Sequence, residues 1–152
     1  IAFDPLNNMD FGQPVLCLMP SGRVLCLMRV ERVEQYLWSA YSDDGGETWS
    51  TPKRTQIWGF PAHLLVLKDG RILCSYGYRR PPYGVRACLS EDEGRSWDLQ
   101  NEIIIRNDGI HGDLGYPSSV ELEPGKIFTA YYFHGKDSKN ATRYIAGSIY
   151  TI

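Results

Sequence analysis

Arginine and tyrosine side chains recur at the ends of short apolar segments of this sequence. Arg29 follows one such segment, Arg79 and Arg80 follow a second, and Tyr116 precedes a third. If the fold brings these side chains to one surface, together with nearby histidine and carboxylate groups, they form a site suited to a polar ligand. The elements that carry them must then place their ends close together.

A repeated motif indicates what those elements are. The pattern S-x-D-x-G-x-S/T-W occurs at residues 42–49 and again at residues 90–97, 48 positions later. A period near 50 residues is typical of stacked supersecondary units, most often the blades of a propeller. The fixed positions of the two copies are Ser42, Asp44, Gly46, Trp49, Ser90, Asp92, Gly94 and Trp97.

The residue types of this motif predict a structural role. An Asp accepts hydrogen bonds from the backbone of its own turn, a Gly adopts angles that other residues avoid, and a Trp buries a large flat ring. We therefore expect the motif to stabilise the turn between the third and fourth strands of each unit. It lacks the alternating ligands of a calcium loop, so neither a metal nor a cofactor is predicted.

Three hairpins mark the start of three copies. They span residues 14–26, 61–74 and 117–128, and each is predicted as two strands joined by a two-residue turn that ends in Gly. In the first hairpin this turn places Cys17 opposite Cys26. The third copy lacks the S-x-D-x-G-x-S/T-W motif.

The copies divide one all-β domain, residues 1–152, into repeats of about 13–58, 59–108 and 109–152. Because stacked units need neighbours or caps, we expect either a missing half of a longer protein or a homo-oligomer partner to complete the ring. Each copy is predicted to form a four-stranded blade. In the second copy the predicted strands are residues 62–68, 71–79, 84–90 and 97–105.

The antiparallel order of strands predicts which side chains share a rim. The start of the first strand and the end of the second strand lie on one rim of a blade, whereas the repeated motif lies on the opposite rim. The first rim is predicted to collect polar residues from all three copies: Gln13, Arg29, His63, Tyr78, Arg79, Arg80, Tyr116, Glu121 and His134.

Composition excludes some classes of partner. The chain has 16 basic and 18 acidic residues, a formal net charge of −2, and no basic run, which argues against nucleic acid. No apolar run approaches the roughly 18 residues of a membrane-spanning helix, so no membrane span is predicted. The four cysteines form no C-x-x-C pair, and reduced thiols weakly favour an intracellular location.

The repeated motif resembles the Asp-box of the sialidase (neuraminidase) superfamily and its Asp-box (BNR) repeat relatives. The likeness extends from about Gln13 to Ile149. It implies a β-propeller that has six blades when complete, of which this chain holds about three four-stranded blades, corresponding to the C-terminal half. It also implies a carbohydrate-active enzyme that is secreted or periplasmic. Since the thiols favour an intracellular location, the compartment stays open.

The resemblance assigns roles to individual residues. Sialidases use a Tyr at the start of the last blade's inner strand as the nucleophile, and Tyr116 in the sequence G-Y-P-S-S matches it. Arginines at the ends of second strands clamp the carboxylate of the acidic sugar, and Arg29 matches one of them. The second is either Arg79, favoured by strand parity, or Arg80, favoured by the Pro81-Pro82 pair that follows.

The chain departs from the family at the general base. The usual Glu of an E-P pair is replaced by Gln13, and an amide cannot take a proton from a phenol. Glu121 and Asp113 are the two alternative bases, and the family's general acid and first Arg have no counterpart here. The residues expected to contact substrate are Gln13, His63, Tyr78, Asp113, Glu121 and His134.

These observations lead to two main functional hypotheses. The first is a sialidase-like exo-glycosidase that cleaves a terminal acidic sugar with retention through Tyr116. The alternative is a non-catalytic glycan-binding propeller that kept the arginine clamp and lost the base, as Gln13 suggests. Chemistry on another acidic sugar is a third hypothesis.

Overall fold

A computed structural model describes residues 1–4, 9–30, 34–136 and 142–152 of the chain. Its regular elements are β-strands, as the sequence predicts, and among the described residues no helix is long and apolar enough to cross a membrane. The strands are β1 (Phe11–Leu18), β2 (Val24–Val30), β3 (Tyr36–Ser42), β4 (Lys53–Trp58), β5 (Ala62–Val66), β6 (Ile72–Tyr78), β7 (Tyr83–Ser90), β8 (Asp98–Gly109), β9 (Gly115–Glu123), β10 (Lys126–Phe133) and β11 (Tyr144–Thr151).

The strands form three antiparallel sheets in which chain neighbours are also spatial neighbours. The sheet orders are β1-β2-β3-β4, β5-β6-β7-β8 and β9-β10-β11, so the third sheet has three strands among the described residues. The first strands of the sheets, β1, β5 and β9, contact one another in that order. The sheets therefore stack as blades around a shared inner edge, which is the predicted architecture of a partial propeller.

Apolar side chains hold the first and second blades together. Leu27 and Leu37 of the first blade pack in one cluster with Leu64, Tyr76 and Trp97 of the second, and each of these side chains is at most 8% exposed. Fully burying one aliphatic side chain stabilises a fold by about 1.5–3 kcal/mol. The cluster thus fixes the position of one blade against the next.

The second and third blades meet through apolar and polar contacts. Leu73 packs against Ile127 within one buried cluster. Beside it, the hydroxyl groups of Ser75, Ser119 and Thr129 form a hydrogen-bonded chain with oxygen separations of 3.0 and 2.9 Å. Because these buried hydroxyls satisfy one another, the polar part of the interface carries little desolvation cost.

The first and second hairpins have longer loops than the sequence predicts, because bonds from Met19 to Arg23 and from Leu67 to Arg71 each close three residues rather than two. The backbone N–H of Met19 donates to Arg23 at 2.8 Å, which closes a three-residue loop whose last residue, Gly22, has φ of 88°. Such a loop is the common alternative to a two-residue turn. The odd number of loop residues shifts the register by one, so Cys17 and Cys26 each lie opposite a leucine and the predicted pairing is wrong.

The repeated motif lies in the two turns that follow β3 and β7. Asp44 accepts hydrogen bonds from the hydroxyl of Ser42 at 2.6 Å and from the backbone of Thr48 at 2.9 Å. Asp92 accepts the equivalent backbone bond from Ser96 at 2.8 Å. The hydroxyl of Ser42, followed by the bonds from Thr48, holds the pKa of Asp44 well below its usual range. The carboxylates therefore organise the turns on the rim away from Tyr116.

Candidate functional site

A Gly-x-Pro tripeptide lies at or just before the start of each inner strand. In two of the three, the middle residue has a positive φ, 46° at Gln13 and 50° at Tyr116, and the strand pairing is interrupted there by a bulge. Bulges of this kind re-aim a side chain and are common beside binding sites. The tripeptides span residues 12–14, 59–61 and 115–117, with Gln13, Phe60 and Tyr116 as their middle residues.

Backbone contact brings the second and third of these tripeptides together. The N–H of Phe60 donates to the carbonyl of Gly77 at 2.9 Å. A Cβ atom on Gly115 would lie 2.9 Å from the Cα of Gly77, which real side chains do not tolerate. The end of β6 and the start of β9 can meet this closely only because both positions are Gly. Tyr116 is thereby held beside the end of β6, where Arg79 follows.

Gln13 links Tyr116 to Arg29. The Nη1 of Arg29 donates to Oε1 of Gln13 at 2.9 Å, and the amide nitrogen of Gln13 makes a short hydrogen bond to the hydroxyl of Tyr116. Because a guanidinium only donates, the carbonyl end of the amide must face Arg29 and the NH₂ end must face the phenol. Tyr116 therefore meets a hydrogen-bond donor where the resemblance leads one to expect a base.

Arg29 and Arg79 share the ring of Phe60. The Cζ of Arg29 lies 3.9 Å from the ring centroid and that of Arg79 lies 5.3 Å from it, whereas Phe60 itself is only 5% exposed. Arg79 also lies 5.8 Å from the ring centroid of Tyr116, which is 51% exposed. Two guanidinium groups and an accessible phenol thus meet in one place.

A chain of hydrogen bonds orients Arg79 on its other side. Its Nε donates to the carbonyl of Leu114 at 2.9 Å, and its Nη2 donates to the hydroxyl of Tyr132 at 3.0 Å. Tyr132 in turn donates to Asp113 at 2.8 Å, and Arg143 lies 3.0 Å from the same carboxylate. The hydrogen bond from Tyr132 is the main cause of a lowered pKa at Asp113, with Arg143 and Arg79 adding to it. The carboxylate is therefore charged at neutral pH and is a weak base.

The structure separates the two arginines that the sequence leaves as alternatives. The Nε of Arg80 donates to the hydroxyl of Tyr78 at 2.6 Å, and its Cζ lies 4.2 Å from a ring centroid of Trp58. Tyr78 is 8% exposed within the apolar cluster between the first and second blades. Successive residues of an extended segment face opposite sides. Arg79 accordingly faces Tyr116 of the third blade, whereas Arg80 faces Trp58 of the first blade.

Glu121 lies away from this cluster. Its two carboxylate oxygens accept hydrogen bonds from the backbone of Lys68 at 2.7 Å and of Gly125 at 2.9 Å, both at hairpin loops. Glu121 follows Tyr116 by five positions along β9, a distance of about 17 Å in an extended strand. The structure therefore does not bring Glu121 to Tyr116, and its bonds give it a role in joining two hairpins.

The two histidines predicted on this rim, His63 and His134, each have contacts with residues other than Tyr116. The Nδ1 of His63 accepts a hydrogen bond from the backbone of Ser119 at 3.3 Å, and burial lowers the pKa of its imidazole. The ring of His134 packs 5.5 Å from that of His111, and neither of its buried nitrogens has a hydrogen-bond partner among the described residues.

Phe60, Tyr132 and Arg143 are site residues that the strand and repeat patterns did not predict, and Phe60 is the most central of them. Its neighbours in the chain are unremarkable apart from the tripeptide itself. The signal for it is the recurrence of Gly-x-Pro before each hairpin, with Gln, Phe and Tyr as the variable residue. No three His, Cys, Asp or Glu side chains within the described ranges are grouped so that they could hold a metal ion.

Comparison with known proteins identifies the family and the fold. Residues 5–129 match the family described as BNR repeat-like domain. Among solved structures, a protein of unknown function from Dyadobacter fermentans is 33% identical, with a TM-score of 0.85 over 98% of this chain and 40% of its own. No curated protein sequence matches the chain.

Two glycosidases have the same fold at low sequence identity. The α-L-arabinofuranosidase Arb93A from Fusarium graminearum is 16% identical, with a TM-score of 0.72 over 97% of this chain and 47% of its own. The Hadza microbial sialidase Hz136 is also 16% identical, with a TM-score of 0.64 over 93% of this chain and 32% of its own. The chain therefore spans less than half the length of each of these proteins.

The substitution Tyr132→Phe tests the hydrogen-bond chain around Arg79. It removes the main cause of the lowered pKa of Asp113, so we expect that pKa to rise towards its ordinary value. In the native protein the charged Asp113 carboxylate stabilises the fold at pH values above its unfolded-state pKa, and this contribution disappears as the pH falls through its lowered folded-state pKa. In Tyr132→Phe the folded-state pKa is higher, so the contribution should disappear at a higher pH. An NMR titration of the Asp113 carboxyl measures the shift.

Tyr131→Phe is the matched control for this titration. The Tyr131 hydroxyl bonds to Ser148 at 2.7 Å rather than to Asp113, so its loss should leave the titration of Asp113 unchanged. An unchanged pKa of Asp113 in Tyr132→Phe would contradict the hydrogen-bond chain.

Proposed function

Because the chain belongs to the BNR repeat-like domain family, we propose that it forms part of a carbohydrate-active propeller that binds a terminal acidic sugar. In this proposal Arg29 and Arg79 hold the sugar carboxylate beside Tyr116. The observation that carries the proposal is the meeting of both guanidinium groups on the Phe60 ring, next to an exposed phenol.

The charges of the site favour an anionic ligand. Each arginine is already held by hydrogen bonds, Arg29 to Gln13 and Arg79 to Leu114 and Tyr132, so its guanidinium plane is set before a ligand arrives. Two oriented guanidinium groups match the planar, bidentate geometry of a carboxylate. Pre-set donors also reduce the ordering cost of binding.

The first candidate activity is exo-glycosidic cleavage of sialidase type. Tyr116 occupies the position that the family resemblance assigns to a nucleophile, and a neutral phenol is not repelled by the substrate carboxylate as a carboxylate nucleophile is. The fold shared with a solved sialidase and a solved α-L-arabinofuranosidase supports a role in carbohydrate chemistry.

The second candidate is glycan binding without turnover, and Gln13 favours it. The group in contact with the Tyr116 hydroxyl is an amide that donates a hydrogen bond and cannot accept the phenolic proton. Asp113 is linked to the site through Tyr132, and its lowered pKa makes it a weak base. This arrangement keeps the proposed carboxylate clamp while lacking the group that activates the nucleophile.

Two substitutions in the full-length protein, assayed on a fluorogenic sialoside, separate the candidates. If Tyr116 is the nucleophile, Tyr116→Phe should abolish turnover while the sugar still binds. If only the base is missing, Gln13→Glu should raise turnover by a factor on the order of 10² or more, the usual contribution of a positioned base.

The control is Gln56→Glu, which adds the same charge at an exposed position of β4. Equal turnover in the parent protein and in Tyr116→Phe would remove Tyr116 from the mechanism. Tight binding with no turnover in the parent protein would establish the second candidate. Failure to bind any acidic sugar would contradict the proposed ligand.

We also propose that another blade of the same kind covers the outer face of the third blade. Along β9 and β11 the side chains alternate between the covered and the bare face. The bare face carries apolar side chains with exposed fractions of 47–79%, a density typical of an interaction surface. Its exposed members are Val120, Leu122, Ile145 and Ile149.

Light scattering tests whether this face associates. We expect the 152-residue chain to pair with a second copy through its bare faces, so its mass should exceed that of one chain at micromolar concentration. Ile145→Lys with Ile149→Lys should restore the single-chain mass, because each buried charge without a partner opposes association. Ile104→Lys, at a 55% exposed position of β8, is the control. A single-chain mass at every concentration would contradict the proposal.

A further inference from the structure

We infer that Phe60 is a positioning residue whose ring sets the spacing and orientation of Arg29 and Arg79. The inference deepens the proposed function and rests on it, because the two arginines are there assigned to the sugar carboxylate.

The electrostatics of the ring explain why both cations approach it. The face of a phenyl ring is negative, and a guanidinium within about 6 Å of its centroid is attracted to it. Both distances, 3.9 Å for Arg29 and 5.3 Å for Arg79, fall within this range. Without the ring, two like charges brought together would repel each other. The attraction of both guanidinium groups to the Phe60 ring therefore offsets part of the repulsion between them.

Burial strengthens this effect. Phe60 is only 5% exposed and belongs to the apolar cluster between the first and second blades. Cation–π attraction is largest where water is excluded, because no competing hydration remains at the ring. The ring thus provides a rigid apolar surface on which the guanidinium groups of Arg29 and Arg79 pack.

The backbone holds the ring in place. The N–H of Phe60 donates to Gly77 at 2.9 Å, and a Cβ on the preceding Gly59 would lie 2.7 Å from the Tyr76 ring. The ring of Trp58 packs beside it with centroids 6.4 Å apart. Because its surroundings leave little room for movement, Phe60 offers a fixed ring face to Arg29 of the first blade and to Arg79 of its own blade.

Each arginine also has an anchor that Phe60 does not supply. Arg29 bonds to Gln13 of the first blade, and Arg79 bonds to Tyr132 of the third. The ring of Phe60, from the second blade, is the contact that the two arginines share. It therefore couples groups from three blades into one carboxylate-binding geometry, and it should determine how well the site distinguishes a charged sugar from a neutral one.

The test compares Phe60→Leu, which keeps an apolar side chain and removes the ring face, with the parent protein. Calorimetry measures binding of N-acetylneuraminic acid and of its methyl ester, which lacks the carboxylate charge. We expect Phe60→Leu to weaken binding of the acid roughly three- to tenfold and to leave the ester nearly unchanged. Phe3→Leu, at an 85% exposed phenylalanine, is the matched control.

A second measurement needs no ligand. Ring currents of Phe60 should displace the NMR signals of the side-chain Nε–Hε groups of Arg29 and Arg79 in the parent protein, and Phe60→Leu should remove the displacement. Retention of the displaced signals in Phe60→Leu, or their absence in the parent protein, would overturn the inference. This readout also decides the matter if Phe60→Leu folds poorly.

The two proposals fail in distinguishable ways. If the parent protein binds neither the acid nor the ester while the arginine signals report Phe60, the proposed ligand is wrong and the positioning role stands. If the parent protein binds the acid and Phe60→Leu binds it equally well, the proposed ligand stands and the positioning role is wrong.

Discussion

The close backbone contact between the second and third blades is the constraint on which the rest of the site depends. Gly77 and Gly115 approach so closely that a Cβ on either would collide with backbone atoms, and Phe60 closes the contact through its hydrogen bond to Gly77. A larger residue at either Gly would push β9 away from β6. Tyr116, which directly follows Gly115, would then lose its place beside Arg79.

Because this contact holds the blades close together, three similar blades contribute different side chains to one site. Each blade places a Gly-x-Pro tripeptide near the same inner edge, but the middle residue differs, so the blades contribute an amide, a phenyl ring and a phenol. The positive φ angles at Gln13 and Tyr116 are backbone conformations that L-residues adopt at a cost, and such costs cluster at functional positions. The packing between blades and the buried hydroxyl chain supply the stability that offsets them. Chemistry at this edge therefore depends on which side chain each copy carries.

The sequence predicts the parts of the structure that local rules govern. Alternation along strands is a local rule, and the strands of the second blade follow from it. Strand parity favours Arg79, but the Pro81-Pro82 pair favours Arg80, so the sequence alone leaves both open. The opposition of Cys17 to Cys26 is wrong because loop length, which differs by one residue, decides register. Glu121 and Phe60 show the limit in another way. One oxygen of Glu121 is held by Lys68 of the neighbouring blade, and Phe60 is placed between Arg29 of the first blade and Arg79 of the second. The Lys68 and Arg29 contacts join residues far apart in sequence, which local rules do not predict.

The central claim is that Arg29, Arg79 and Tyr116 surround one carboxylate-binding position built on Phe60. A crystal structure of the full-length protein with N-acetylneuraminic acid tests it most directly. The account predicts the sugar carboxylate within hydrogen-bond distance of both guanidinium groups, with its anomeric carbon next to the Tyr116 hydroxyl. A carboxylate bound elsewhere, or guanidinium groups of Arg29 and Arg79 that no longer share the Phe60 ring, would contradict it.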